Sequence, residues 1–352
     1  AEASIISDYT LCHKFRTFKQ YTNIFMNNDV LICIEHLSHH YGPIRAVEDI
    51  SFEVKRGEVL GFLGPNGAGK STTMQILTGN LSPSAGRVLI NGYDILDQPR
   101  LAKAELGYLP ETPPIYRELT VYEYLLYCAR LNKIPKNQFR SAINSAMERC
   151  GLTETSKRLI GNLSKGYQQR VGIAQAIIHS PAVVILDEPT VGLDPIQIRE
   201  IRSLIRELSN NHSVILSTHI LPEVQSTCNR VQIINKGKLV LNETIDDLNQ
   251  QMQSDNLLIS FRHPPGIQAL ESIGGVVKVN RVDTERFELH IEPANDPTDK
   301  IVKMSAEQNW NLYELSPQRR SLEEIFMDIT SSEHQHVDVE PQTLSGAAGD
   351  ST

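Results

Sequence analysis

No unbroken apolar run in this chain exceeds a handful of residues, Ala182 to Leu186 being among the longest. A membrane-spanning helix needs about 20 such residues, so the chain is not expected to cross a bilayer. The same shortage argues against a secretory signal, whose apolar core runs to about 7–15 residues. Basic residues are scarce too, with 34 Lys and Arg against 42 Asp and Glu, a net charge of −8. Dedicated nucleic-acid binders usually carry a basic face, so this balance weighs against that class. The five cysteines (Cys12, Cys33, Cys128, Cys150 and Cys228) are odd in number, and none forms a Cys-x-x-Cys pair. Neither a disulfide framework nor a zinc site is implied; reduced thiols in a cytosolic protein are expected.

What is present fits a folded protein: 40% hydrophobic and 22% charged residues separate it from disordered chains. A length of 352 residues suggests about two domains. Residues 1–28 show no period and no capping signals, and read as a disordered extension. The chain begins at Ala1, and Met26, just ahead of the first strand-like segment, is an alternative start. Residues 29–250 alternate strands with helices, as in an α/β layered domain. Val183-Val-Ile-Leu is a continuous apolar run, the pattern of a parallel strand covered on both faces. Pro195 to Leu208 carries an Ile198, Ile201, Leu204, Ile205, Leu208 stripe at helical spacing. Residues 256–330 change texture. Their order reads β-α-β-β-α-β, the split βαβ of ferredoxin-like α+β folds. A closing helix follows, with Ser321 and Glu324 at capping-box spacing ahead of Ile325 and Phe326. Residues 331–352 hold Glu333, Asp338, Glu340 and Asp350 but no Lys or Arg, so half of the net charge sits in what reads as a disordered acidic tail.

The strongest local signal is Gly64-Pro-Asn-Gly-Ala-Gly-Lys70-Ser71, a G-x-x-x-x-G-K-S run after a strand and before a helix. Its four fixed positions recur by chance in roughly one chain of this size in a hundred. The strand-loop-helix context makes coincidence rarer. Glycines let backbone N–H groups curl around a phosphate, and the next helix aims its positive end at it. The phosphate cradle is therefore Gly64, Asn66, Gly67, Ala68, Gly69, Lys70, Ser71 and Thr72. Lys70 supplies a point charge to the β/γ oxygens, and the Ser71 hydroxyl is a hard ligand for Mg²⁺. Asp187 ends an apolar strand, where a carboxylate can hold the Mg²⁺ shell; Glu188 beside it can act as general base toward water.

Leu163-Ser-Lys-Gly-Tyr-Gln-Gln-Arg170 lies between these elements, with Ser164 reading as an N-cap. Taken with the P-loop and the acid pair, this segment resembles the signature motif of ABC ATPases. Gly192-Leu-Asp194 resembles that family's D-loop. His219 in Ser217-Thr-His-Ile resembles its switch histidine, and Tyr41 in His40-Tyr-Gly the aromatic that stacks on adenine. The resemblance covers roughly residues 31–250. The C-terminal segment resembles an appendage of multidrug-type and gliding-motility-type exporter ATPases. Two departures stand out. Glu111 in Gly107-Tyr-Leu-Pro-Glu takes the place of the Q-loop glutamine. The signature reads LSKGY, with Lys165 and Tyr167 replacing glycine and glutamine. Lys165 either adds positive charge near the γ-phosphate or faces solvent.

The resemblance implies a P-loop NTPase fold with a mixed sheet and helical subdomain, and ATP and Mg²⁺ as ligands. It also implies a head-to-tail homodimer sandwiching two nucleotides. Each site would draw Tyr41, the P-loop, Asp187, Glu188, Glu111 and His219 from one subunit. Ser164 and Gly166 would come from the other, with Asp194 nearby. Ser71, Asp187 and Glu111 would serve the metal; Lys70, Glu188 and His219 would carry hydrolysis. The moving part would be a separate transmembrane permease, placing the chain on the cytoplasmic face of the inner (plasma) membrane. Its docking surface would be the helical insertion with Tyr116, Tyr122, Tyr124 and Tyr127, each of which has a plain helix-core alternative. The expected function is thus the ATP-hydrolysing subunit of an ABC exporter. The competing readings are a soluble ABC ATPase in translation or DNA maintenance, and a slow nucleotide-sensing regulator. A single P-loop, a short gap to the signature and the lack of a basic patch disfavour the former; Glu188 disfavours the latter.

Overall fold

The computed structural model describes residues 29–251, 253–292 and 295–319. They fall into two compact units, divided along the chain between Ile245 and Asp246. In the first, strands β1 (Val30–Tyr41) and β2 (Ile44–Lys55) form an antiparallel pair, and β3 (Val59–Leu63) begins a second sheet. Helix α1 (Lys70–Leu77) follows, then β4 (Ala85–Ile90), β5 (Tyr93–Asp94), α2 (Pro99–Ala104) and β6 (Leu106–Leu109). A helical block comes next, with α3 (Val121–Leu131), α4 (Phe139–Arg149) and α5 (Lys165–Ile177). The chain then runs through β7 (Val183–Asp187), α6 (Pro195–Leu208), β8 (Ser213–Thr218), α7 (Leu221–Thr227), β9 (Arg230–Asn235) and β10 (Lys238–Thr244).

The smaller sheet is antiparallel with order β2-β1-β4-β5; the larger has order β10-β9-β3-β8-β7-β6. In the larger sheet β9, β3, β8, β7 and β6 are parallel, and β10 is an antiparallel edge. Every residue of β3, β7 and β8 is buried. Their unbroken apolar runs therefore suit strands covered on both faces, where alternation would have left one face wet. Leu31, Ile34, Phe52 and Val54 share one core cluster with Phe62, Ile76, Ile185 and Ile215. Each such side chain contributes about 1.5–3 kcal/mol on burial. Phe52 and Phe62 pack with ring centroids 5.8 Å apart. On α6 the stripe buries Ile201, Leu204, Ile205 and Leu208, while Ile198 is half-buried.

This order positions the site. Neighbouring strands β3, β8, β7 and β6 end at one edge, and each runs into a segment singled out by sequence. These are Gly64–Ser71, His219, Asp187–Glu188 and Glu111. Ligands of open α/β sheets gather at such carboxyl edges.

The second unit contains β11 (Gln253–Phe261), α9 (Ile267–Glu271), β12 (Val276–Arg281), β13 (Arg286–Ile291), α10 (Thr298–Glu307) and β14 (Leu312–Arg319), preceded by α8 (Ile245–Gln251), which straddles the boundary. Its sheet order is β12-β13-β11-β14, antiparallel throughout. Parallel β11 and β12 thus flank β13, as a split βαβ requires. Asp296 accepts a hydrogen bond from the Thr298 N–H at 2.9 Å and so opens α10. Phe261, Phe287 and Trp310 centre a core of its own. The extension 1–28, the closing helix expected after Ser321 and the tail 331–352 lie outside the described residues.

Cys33, Cys128, Cys150 and Cys228 are free and buried, and burial holds the Cys128 thiol up at about 11. Among the described residues no helix is long and apolar enough to cross a membrane.

Candidate active site

The Gly64–Ser71 loop joins β3 to α1. A Cβ at Gly64 would collide with the Ile234 carbonyl oxygen. Gly69 has φ +110°, and a Cβ there would strike the Ala46 carbonyl oxygen, so only glycine fits. Helix α1 starts at Lys70 and presents its positive end to the loop. The buried Lys70 ammonium donates to the carbonyls of Gly64 at 2.7 Å and Pro65 at 3.2 Å. Burial lowers its pKa, opposed by the charges of Glu188, Asp187 and Glu111. Ala68 is buried beneath the loop, whereas Asn66, Gly67 and Ser71 are exposed and Thr72 is half-buried.

Asp187 ends β7 with one buried carboxylate oxygen, Oδ1, that has no hydrogen-bond partner. Burial raises its carboxyl, and the Glu111 charge adds to the effect. Glu188 follows at φ +49°, with its N–H donating to the Ser217 carbonyl at 2.9 Å. Its carboxylate lies 2.9 and 3.0 Å from His219 Nδ1. Burial raises the Glu188 carboxyl, against the hydrogen bond from His219.

Lys70, Ser71, Thr72, Glu111, Glu188 and His219 line one cleft of about 280 Å³, together with Asn66, Gly67 and Gly69. Ala46 and Val191 also line it, and sequence reasoning missed both. Ala46 comes from β2 and carries no chemical signal; Val191 follows Glu188 within one turn and could have been inferred from that. Tyr41 does not line the cleft. It ends β1, half-exposed, with its ring edge-on to His39 at 4.6 Å.

Gly166 and Asp194 line a different cleft, of about 290 Å³, with Tyr167, Arg170 and Gln197. Ser164 N-caps α5, accepting from the Tyr167 N–H at 3.4 Å. Asp194 N-caps α6, accepting from the N–H groups of Ile196 at 3.0 Å and Gln197 at 2.9 Å. A Cβ at Gly166 would press into Gln197. The Lys165 ammonium lies against Gly192, two residues ahead of Asp194. One chain thus holds a cleft lined by the Asn66–Thr72 loop with the carboxylates of Glu111 and Glu188 and, apart from it, a capped helix start whose buried glycine, Gly166, lines a second cleft.

Residues 47–191 match the ABC transporter family. The chain is 32% identical over 301 residues to the linearmycin resistance ATP-binding protein LnrL of Bacillus subtilis, covering 84% of this chain and 97% of that protein. It is 39% identical over 217 residues to the bacitracin transport ATP-binding protein BcrA of Bacillus licheniformis, covering 61% and 70% respectively. Among solved structures, CbiO1 of Clostridium perfringens, described as part of the ABC transporter complex CbiONQ, superposes with a TM-score of 0.59. It has 31% identity and covers 62% of this chain and 90% of its own. The chain belongs to the ABC transporter ATP-binding subunits, which bind ATP and hydrolyse it to drive transport.

Proposed function

We propose that this subunit powers an exporter through a separate transmembrane permease, at the cytoplasmic face of the plasma membrane, by closing head to tail around two ATP molecules. The observation that carries the reading is the cleft in which Lys70, Ser71, Glu188 and His219 meet. ATP lies with its phosphates along the Gly64–Thr72 loop. Glu188 accepts a proton from the attacking water as oxygen bonds to the γ-phosphorus and the bond to the β-phosphate oxygen breaks. His219 holds the base through Nδ1, and Lys70 offsets charge on the phosphate oxygens. The unpartnered Asp187 Oδ1 and the Ser71 hydroxyl suit a hard cation, and Glu111 adds a third oxygen donor. Mg²⁺ held there would neutralise the β and γ oxygens. Residues 29–250 are the ATP-binding domain and 256–330 an accessory domain.

The separate cleft at Gly166 and Asp194 supports the dimer, because the signature residues do not reach the phosphate loop of their own chain. Tyr116, Tyr122 and Tyr127 are exposed on the helical block and suit permease docking; Tyr124 is buried, its hydroxyl donating to the Pro114 carbonyl at 2.9 Å, and serves the core. Relatives named for linearmycin resistance and bacitracin transport support the exporter direction. Glu188→Gln is the decisive test. Steady-state turnover should fall by about 10²-fold or more while ATP binding persists. Near-normal turnover would remove Glu188 as the base.

A further inference from the structure

Glu223 is 1% exposed and belongs to no motif of the nucleotide site, yet its carboxylate is fully engaged. Oε1 accepts a hydrogen bond from the Thr190 hydroxyl. Oε2 accepts from the Thr218 hydroxyl at 3.0 Å; that hydroxyl oxygen in turn accepts from the Ile220 N–H at 3.1 Å. An Arg202 guanidinium nitrogen on α6 stands 3.6 Å from Oε1. Thr190 lies two residues beyond Glu188, and Thr218 immediately precedes His219. A closed ring results. Glu188 bonds His219 in the cleft, and the backbone segments carrying both are tied together from behind by one buried carboxylate.

We propose that Glu223 is a positioning residue for ATP hydrolysis, which clamps the Glu188 and His219 segments so that the carboxylate and the imidazole stay paired. The need for a clamp is visible in the backbone. Glu188 sits at φ +49°, a region that non-glycine residues hold only when their surroundings over-determine it. One backbone bond, from Glu188 N–H to the Ser217 carbonyl, joins the two segments on the strand side. The Thr190–Glu223–Thr218 bridge joins them on the other. Arg202 extends the clamp to α6, the helix that Asp194 caps, so the turn between Glu188 and Asp194 is held at both ends. The proposal rests on Glu188 being the general base.

Thr190→Val is the informative variant, because it removes the hydroxyl donor with little change of volume and leaves the cleft itself untouched. Three quantities are measured: kcat, nucleotide affinity by direct binding, and the melting temperature. We expect kcat to fall about 10- to 100-fold, the usual cost of losing an orienting partner, with nucleotide affinity within about twofold of wild type. Thr190→Ser, which keeps the hydroxyl, should restore kcat. In a His219→Ala background Thr190→Val should cost less than about twofold, since the pair it orients is already gone. Wild-type kcat in a folded Thr190→Val protein would overturn the proposal. So would a rate loss that persists in full without His219, or one that merely follows loss of folded protein. Glu188→Gln separates the two levels of failure. If that variant still turns over, the base assignment falls and the clamp with it. If it is inactive while Thr190→Val is unimpaired, the clamp alone falls.

Discussion

Glu188 combines three demands that conflict in a single residue. It must lie in a left-handed backbone conformation that costs about 1–3 kcal/mol, be buried enough to exclude bulk water, and remain ionised at neutral pH. Burial raises its carboxyl above the ordinary glutamate range, and the His219 hydrogen bond pulls it partly back. A general base works only deprotonated, so kcat should fall as pH drops through this raised value. The acid limb of the profile is therefore expected above the ordinary glutamate pKa of about 4.3. His219→Ala removes the opposing hydrogen bond, so its acid limb should lie at still higher pH than that of wild type. A limb that stays put or moves down would show that His219 does not act on this carboxylate.

At the scale of elements, the start of α5 has two roles that can be separated. Ser164 caps the helix through Tyr167, and the surface beside it, with Gly166 and Asp194, forms the cleft assigned to a partner's nucleotide. Ser164→Arg should cost about 1 kcal/mol of stability through the lost cap. It should also stop ATP from converting a Glu188→Gln monomer into a dimer, as read by sizing with and without ATP. A folded double variant that still dimerises would count against the in-trans role. The elements themselves were readable from sequence for definite reasons. β3 and β7 are fully buried, so their apolar runs are continuous, and Gly64 and Gly69 of the loop after β3 stand where a Cβ collides with backbone. Tyr124 could also have been separated from its neighbours. It falls on the Val121, Leu125, Cys128 stripe of α3, whereas Tyr122 and Tyr127 fall off it. Ala46 and Glu223 could not be read. One has no chemistry and enters through pairing of β1 with β2, and the other gains its meaning only when α7 brings it between Thr190 and Thr218. Tyr41 shows the opposite limit: its motif was legible, but it lines no part of the phosphate cleft.

At the scale of the whole molecule, the two units have separate cores, and the chain's single tryptophan, Trp310, lies in the second. Its ring packs edge-on against Phe261 at 5.6 Å and is almost fully buried, so its emission reports on that unit. Under the proposed function, nucleotide binds the first unit through the Gly64–Thr72 loop. Ligand that binds only folded protein stabilises the unit that holds it, by about 2.7 kcal/mol at a concentration 100 times the dissociation constant. Excess ATP with the Glu188→Gln protein should therefore shift the unfolding transition seen by far-ultraviolet dichroism upward, and leave the Trp310 transition where it was. Phe287→Ala should do the converse. Truncating that buried ring costs about 3–5 kcal/mol, which should lower the Trp310 transition while ATP binding to the first unit survives. If the tryptophan signal instead moves with nucleotide in step with the dichroism, the two cores unfold as one cooperative body. The appended ferredoxin-like unit would then sense the ATP state of the first directly.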